Sequence, residues 1–234
     1  MRLFNVVGCG KMWVLLLLIW AWAPLAAQQL AQYSLYFLDP VQLNPAYVGL
    51  DNSLSVTLGY RSQWTGLPGQ PVGQRVSAHL PLYILSSGIG LEAEIDEIGA
   101  RRYSRFGAAY SYQLVSGRRV WSLGLGARLN QLQLDGSQLR TPSGTYDLGQ
   151  RILVHNDDLL AVSQVNDQQL SFSAGLYYQS ERLEGGISAL HLNSPVATLA
   201  ALDWRLERQY SLYLRSRFRG LGAVGQLQPS LFGA

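Results

Sequence analysis

Three histidines are the first residues with chemistry to offer. His79 alternates with apolar neighbours, while His155 and His191 fall in polar stretches. A hydrolase would need one of them beside a serine, with a polar residue orienting the ring. His191-Leu192-Asn193-Ser194 holds those residue types, but sequence neighbours need not converge in space. Asp147, Asp157, Asp158 and Asp167 could surround a hard cation. Their spacing is not that of an EF-hand loop, and a solvated loop is the better explanation. There is no Gly-rich phosphate loop and no metal-ligand cluster. No catalytic, cofactor-binding or metal residue is therefore assigned, and no cofactor is expected.

The elements that would position these residues are strands. Positions 53–60, 75–82, 89–96, 105–114, 121–130 and 170–179 alternate apolar with polar or small residues, and weaker copies occupy 183–190, 209–217 and 224–232. Period two is the mark of a strand with one apolar face. Most of these runs are longer than the globular mode of about 5–6 residues and near the roughly 9–11 that cross a bilayer. The non-apolar face carries Gly, Ser, Gln, Arg and Glu, as a polar lumen would. A secreted β-sandwich alternates in the same way, so the period does not separate the two. A sandwich dresses its outer face with Lys, Asp and Glu, whereas here that face is rich in Gly and Ser.

Connection lengths favour a membrane barrel. Of the stretches 63–73, 97–101, 135–167 and 191–208 three are long, and they alternate with the short 83–87, 115–119, 180–182 and 219–222, the expected contrast between surface loops and periplasmic turns. Tyr60, Trp64, Tyr83, Tyr103, Trp121, Tyr178, Trp204 and Tyr210 cluster near strand ends, as interfacial girdles do.

Composition agrees. Charged residues make up 14% of the 234-residue chain, against about 25% in soluble domains. The net charge of +3 gives no footing for a nucleic-acid partner. Arg2 and Lys11 precede the apolar run from Met12 to Ala23, and Pro24-Leu25-Ala26-Ala27 follows. That is the layout of a signal peptide cut after Ala27. The run is too short for a membrane helix, which takes about 20 residues. Cleavage would remove Lys11, the one lysine, and Cys9, the one cysteine. It would leave 16 arginines against 15 acids, a net of +1. Without cysteine, the mature chain has no disulfide, thiol nucleophile or thiolate metal site.

Several segments resemble the PorP/SprF family of the type IX secretion system. They include Tyr33-Ser34-Leu35-Tyr36, Asn44-Pro45-Ala46-Tyr47-Val48-Gly49, Tyr60-Arg61-Ser62-Gln63-Trp64-Thr65-Gly66 and Gly69-Gln70-Pro71. Gly88-Ile89-Gly90-Leu91, Asp96-Glu97-Ile98-Gly99, Ala109-Tyr110-Ser111-Tyr112, Leu123-Gly124-Leu125-Gly126, Gly175-Leu176-Tyr177-Tyr178 and Gly186-Ile187-Ser188 follow in order. The first two motifs with Asn44 and Trp64 are the specific ones; the glycine-containing strand motifs are common. The resemblance implies an all-β transmembrane antiparallel β-barrel of about 14 strands, similar to fatty-acid transporters with an N-terminal hatch. About nine strands are present here. The wall would be incomplete, through truncation or because partner chains complete it, and residues 1–234 alone would close poorly.

The expected organisation is a signal peptide over 1–27, a periplasmic or hatch segment over 28–52, and an outer-membrane barrel over 53–234. The segment 32–49 reads equally as a hatch or as a plain turn before the first strand. Asn44, Pro45, Ala46, Tyr47, Gly49, Arg61, Gln63, Trp64 and Gly66 are the candidate interaction residues. Trp64 is expected to stack on Arg61 or to sit at the interface, and Asp96 and Glu97 to pair with Arg101, Arg102 and Arg105, with binding of anionic lipopolysaccharide or cargo by these arginines as the alternative. The implied role is non-enzymatic: secretion, or surface anchoring, of proteins with C-terminal sorting domains, in the gliding and secretion machinery. The implied partners are outer-membrane lipid, periplasmic ring proteins, a peptidoglycan-binding lipoprotein and the cargo, with no nucleic acid. A fatty-acid-type transporter or channel is the alternative.

Overall fold

The structure is a computed structural model that describes residues 39–147, 149 and 152–216, and the backbone of 218–219, 226–227 and 230–233. The expected signal peptide, the stretch 28–38 with Tyr33 to Tyr36, and much of 217–234 lie outside the described residues.

The strands in chain order are β1 (Ser55–Ser62), β2 (Val72–Leu82), β3 (Ser87–Ile98), β4 (Arg101–Ser116), β5 (Arg119–Asp135), β6 (Thr145–Tyr146), β7 (Ile152–Val154), β8 (Gln164–Gln179), β9 (Leu183–Leu190), β10 (Val196–Leu199), β11 (Leu202–Arg205), β12 (Gln209–Ser216), β13 (Phe218–Arg219), β14 (Gln226–Leu227) and β15 (Ser230–Gly233). Nine of them form one antiparallel sheet in the order β1-β2-β3-β4-β5-β8-β9-β12-β15, curled into a half-barrel. The pairs β6–β7, β10–β11 and β13–β14 are separate two-stranded ladders. Among the described residues no helix is long and apolar enough to cross a membrane.

The strands answer the alternation run by run, and the structure decides which face points where. Leu58 is 78% exposed and Leu125 67%, and Val56, Leu91, Phe106, Leu123, Phe172 and Ile187 also stand in the open. Their polar neighbours are buried: Arg75, Ser77, Glu94, Arg105, Ser111, Ser122, Arg128, Asn130 and Ser171. A sandwich would sort them the other way. An apolar exterior over a polar interior is the arrangement of a bilayer-embedded wall.

Loop lengths put two kinds of connection at opposite ends. Loops 63–71, 136–163 and 191–208 lie at one end, with the tight turn 99–100; turns 83–86, 117–118 and 180–182 lie at the other. Both two-residue turns place glycine first, Gly99 at φ +57° and Gly117 at φ +60°, as such hairpin turns require.

One expected element differs. The run 224–232 was to be a full wall strand after a short turn at 219–222. Instead β13 pairs with β14, and only Ser230–Gly233 rejoins the sheet, against Leu212 to Arg215 of β12. Residues 220–225 lie outside the described ones. Pro229 interrupts the run and has no N–H for the ladder.

Candidate functional site

The inner face is laid out in rows, because antiparallel register sets inward residues of successive strands directly opposite one another. Arg75, Glu94, Arg105, Asn130 and Gln169 form one row across β2, β3, β4, β5 and β8. Ser77, Glu92, Gly107, Arg128 and Ser171 form the next, toward the short-turn end. Further along, Gly88, Ser111, Gly124, Gly175, Ser188 and Ser211 run from β3 to β12, a row with almost no side-chain bulk. The row after it carries Gln113, Ser122, Tyr177, Gly186 and Tyr213.

The segment 39–50 lies on this face. Two one-turn 3-10 helices, Pro40–Gln42 and Pro45–Tyr47, each begin with proline, whose fixed φ suits a first helical position. Asn44 caps the second, its Oδ1 accepting from the Ala46 N–H at 2.9 Å. The same side chain reaches outward, and its Nδ2 donates to the carbonyls of Leu176 and Ile187, both at 3.2 Å. It thereby bridges β8 and β9.

The small row, with Gly186 of the row after it, is the floor for this segment. A Cβ on Gly175 would stand 2.0 Å from Asn44 Oδ1, and one on Gly186 2.7 Å from Asn44 Nδ2. A Cβ on Gly124 would stand 2.2 Å from the Ala46 nitrogen, and one on Gly88 2.4 Å from the Val48 carbonyl oxygen. No side chain fits at those distances. The segment therefore crosses the strands, with Val48 over β3 and β4, Ala46 over β5, Asn44 over β8 and Leu43 beside β9. Ala46 and Val48 are wholly buried.

The wall also satisfies the segment's backbone, as buried polar groups require. Ser111 Oγ and Gln113 Nε2 donate to Val48 O at 2.6 and 3.3 Å, Ser188 Oγ to Leu43 O at 2.6 Å, and Arg128 Nη2 to Gln42 O at 3.0 Å. The Gly49 N–H donates to His79 Nδ1 at 3.1 Å, which requires that nitrogen to be unprotonated. Tyr47 sits edge-on to Tyr177, with ring centroids 5.2 Å apart, and Tyr177 stacks on Tyr213 at 6.3 Å. Tyr47 Oη donates to Asp51 Oδ1 at 2.7 Å. Burial, and then this bond to a carboxylate, pushes the Tyr47 phenol above its ordinary pKa.

Charge closes the other end of the segment. Arg75 donates to Asp39 at 2.9 Å, Glu92 at 2.8 Å and Glu94 at 2.9 Å, and Ser77 Oγ adds a bond to Asp39 at 2.8 Å. Arg105 pairs with Glu94 and Arg128 with Glu92. Three arginines thus face three carboxylates, one of them from the segment. Gly107 makes the Glu92–Arg128 pair possible, since a Cβ there would stand 2.6 Å from Glu92 Oε1. The recess left between segment and wall, lined by Val41, Pro45, Gly126, Arg128 and Ser173 among others, is about 10 Å³, room for about one water molecule.

Of the candidate residues, Asn44, Pro45, Ala46, Tyr47 and Gly49 come together on the floor. The Arg61 group stands apart, at the long-loop end. Arg61 pairs with Asp96 at 2.9 Å, the Gln63 N–H closes the 63–71 loop on Pro71 O at 3.0 Å, and the Gly66 N–H meets Gln70 Oε1 at 3.2 Å. Trp64 stands 70% exposed at φ +55°, and the Arg61 guanidinium pairs with Asp96. The acidic and basic residues at the β3–β4 hairpin do pair, Asp96 also with Arg101 at 3.9 Å and Glu97 with Arg102 at 3.3 Å. Arg105 instead turns inward to Glu94.

His191 and Ser194 form a tight turn, the Ser194 N–H donating to His191 O at 2.8 Å. His155 is buried in the 136–163 loop, its Nε2 3.0 Å from Gly136 O. Asp157 caps the Leu159 N–H, and Asp167 the Thr198 N–H. Among the described residues no group of three or more His, Cys, Asp and Glu side chains gathers.

The residues that receive the segment, namely His79, Ser111, Ser188, Arg75 and the glycines, are not legible as a site from sequence. Their signal is small or polar residues at inward parity in successive strands.

An inverted antiparallel wall with a chain segment docked inside defines a β-barrel type of membrane protein. Residues 25–234 match the family described as type IX secretion system membrane protein PorP/SprF, and the chain belongs to that family. No curated protein and no solved structure matches it.

Proposed function

We propose that this chain is a non-enzymatic outer-membrane barrel of the type IX machinery, exported by a leader cut after Ala27. It supports secretion, or surface anchoring, of proteins with C-terminal sorting domains. In this reading the long loops face outside and the short turns face the periplasm, where ring proteins and a peptidoglycan-binding lipoprotein would meet it. The segment 39–50 is a resident hatch.

The observation that carries the reading is the docking of Asn44 to Gly49 on the glycine floor of an apolar-outside wall. Four strands surrender side chains to it, and the wall supplies its hydrogen bonds. Such a segment suits a scaffold better than a conduit.

The test is a deletion strain assayed for surface display of a reporter bearing a sorting domain. The reading expects display to fail without the gene and to return with it. Normal display without the gene, together with saturable fatty-acid uptake by the protein in liposomes, would favour the transporter.

A further inference from the structure

The turn between β2 and β3 has a composition that no contact within the described chain explains. Tyr83, Ile84 and Leu85 form one 3-10 turn, and Ile84 is 99% exposed. The turn is held in place: Tyr83 Oη donates to Asn52 O at 2.5 Å, the Ser86 N–H to Tyr83 O at 3.2 Å, and the Gln113 N–H to Ser86 O at 2.7 Å. An apolar tip held rigidly in water is a liability.

We propose that this turn is a membrane anchor, seated in the headgroup layer of the leaflet at the short-turn end, and that its ligand is anionic phospholipid. Two observations choose lipid. The first is continuity: Val76, Ala78, Leu80 and Leu82 alternate with the inward Arg75, Ser77 and His79, and the 3-10 turn at the foot of that strand leaves Ile84 exposed. On the same rim Val115 is exposed, and Trp121 and Tyr178 pack at 4.6 Å. Aromatic and aliphatic residues at that level are what an interface selects. The second is charge. The neighbouring short turns expose Arg118, Arg119 and Arg182 against one acid, Glu181, which pairs with Arg118 at 2.7 Å. Three guanidinium groups against one carboxylate favour phosphate headgroups.

The inference rests on the barrel reading, and its experiment separates the two. The full chain with Cys9→Ser carries a single new cysteine, Ile84→Cys, Leu125→Cys or Gln138→Cys, labelled with a polarity-sensitive fluorophore. It is placed in nanodiscs of phosphatidylcholine and phosphatidylglycerol doped with nitroxide lipids. Position 84 should be quenched by a headgroup nitroxide at least three-fold more than position 138. Position 125 should respond to a nitroxide deep in the chains. Replacing phosphatidylglycerol with phosphatidylcholine should lower the quenching at 84.

Quenching at 84 equal to that at 138, with 125 still responding to the deep label, overturns the anchor and leaves the turn to a protein partner. Quenching at 84 indifferent to phosphatidylglycerol overturns the anionic ligand. If position 125 ignores the deep label, it is the wall itself that is contradicted.

Discussion

Gly124 and Gly59 are both wall glycines, yet the structure assigns them opposite tolerances. A Cβ on Gly124 meets the Ala46 backbone at 2.2 Å, while one on Gly59 meets only Arg75 Cβ at 3.8 Å. Gly124→Ala should therefore cost about 1–3 kcal/mol through overpacking and loosen the segment 39–50, and Gly59→Ala should do neither. Limited proteolysis of the segment is the readout. Asn44 allows a sharper comparison. Asn44→Ala loses a cap and two carbonyl contacts, about 1–2 kcal/mol in all. Asn44→Asp should be worse, because it aims a carboxylate at the carbonyls of Leu176 and Ile187.

Tyr47 sets a pH limit. Its pKa is raised in the folded chain, so its contribution is fully present below the unfolded value of about 10 and is lost as pH rises above it. Proteolysis of the segment should quicken above about pH 10 in the parent chain and lose that component in Tyr47→Phe.

At the scale of elements, the strands were readable because alternation is local. Six strong runs and two weaker ones emerged where the periodicity placed them. The direction of the faces was not readable from the period alone, since Leu-x-Leu over Gly-x-Gly serves a sandwich or a barrel; the loop lengths and the Gly- and Ser-rich polar face pointed to the barrel. The seat of the segment 39–50 was less readable still. Asn44 bonds to carbonyls 132 and 143 positions away, and nothing local marks Gly175 or Gly186 as its seat. The glycine motifs, common one at a time, acquire meaning as one row only when the register is known. The wall's orientation is tested by Leu125→Arg, which should lower stability by about 2–4 kcal/mol if that side chain meets the bilayer centre. Leu132→Arg, at a buried inward position, would fail through its own packing. The useful control is Gln113→Arg, which is inward but only half-buried, and it should cost less in a heat-modifiable gel assay.

At the scale of the whole molecule, strand direction constrains assembly. Neighbours in the nine-stranded sheet are antiparallel, so β1 and β15 run the same way, toward the long-loop end. In lipid an open edge leaves N–H and C=O groups unsatisfied, at several kcal/mol each. Antiparallel closure then takes an odd number of further strands. Topology is checked by tags at 136–163 and at 117–118. Intact cells should label the first and not the second.

The central claim is that residues 39–50 are docked inside a wall whose apolar face meets lipid. Hydrogen exchange of the full chain in its native membrane tests it most directly. Amides of Ala46 and Gly49, bonded to Asn44 Oδ1 and His79 Nδ1, should exchange as slowly as those of β4 and β5, and Gly124→Ala should release them while the strands stay protected. Fast exchange at Ala46 and Gly49 in the parent chain, beside protected strands, would contradict the account.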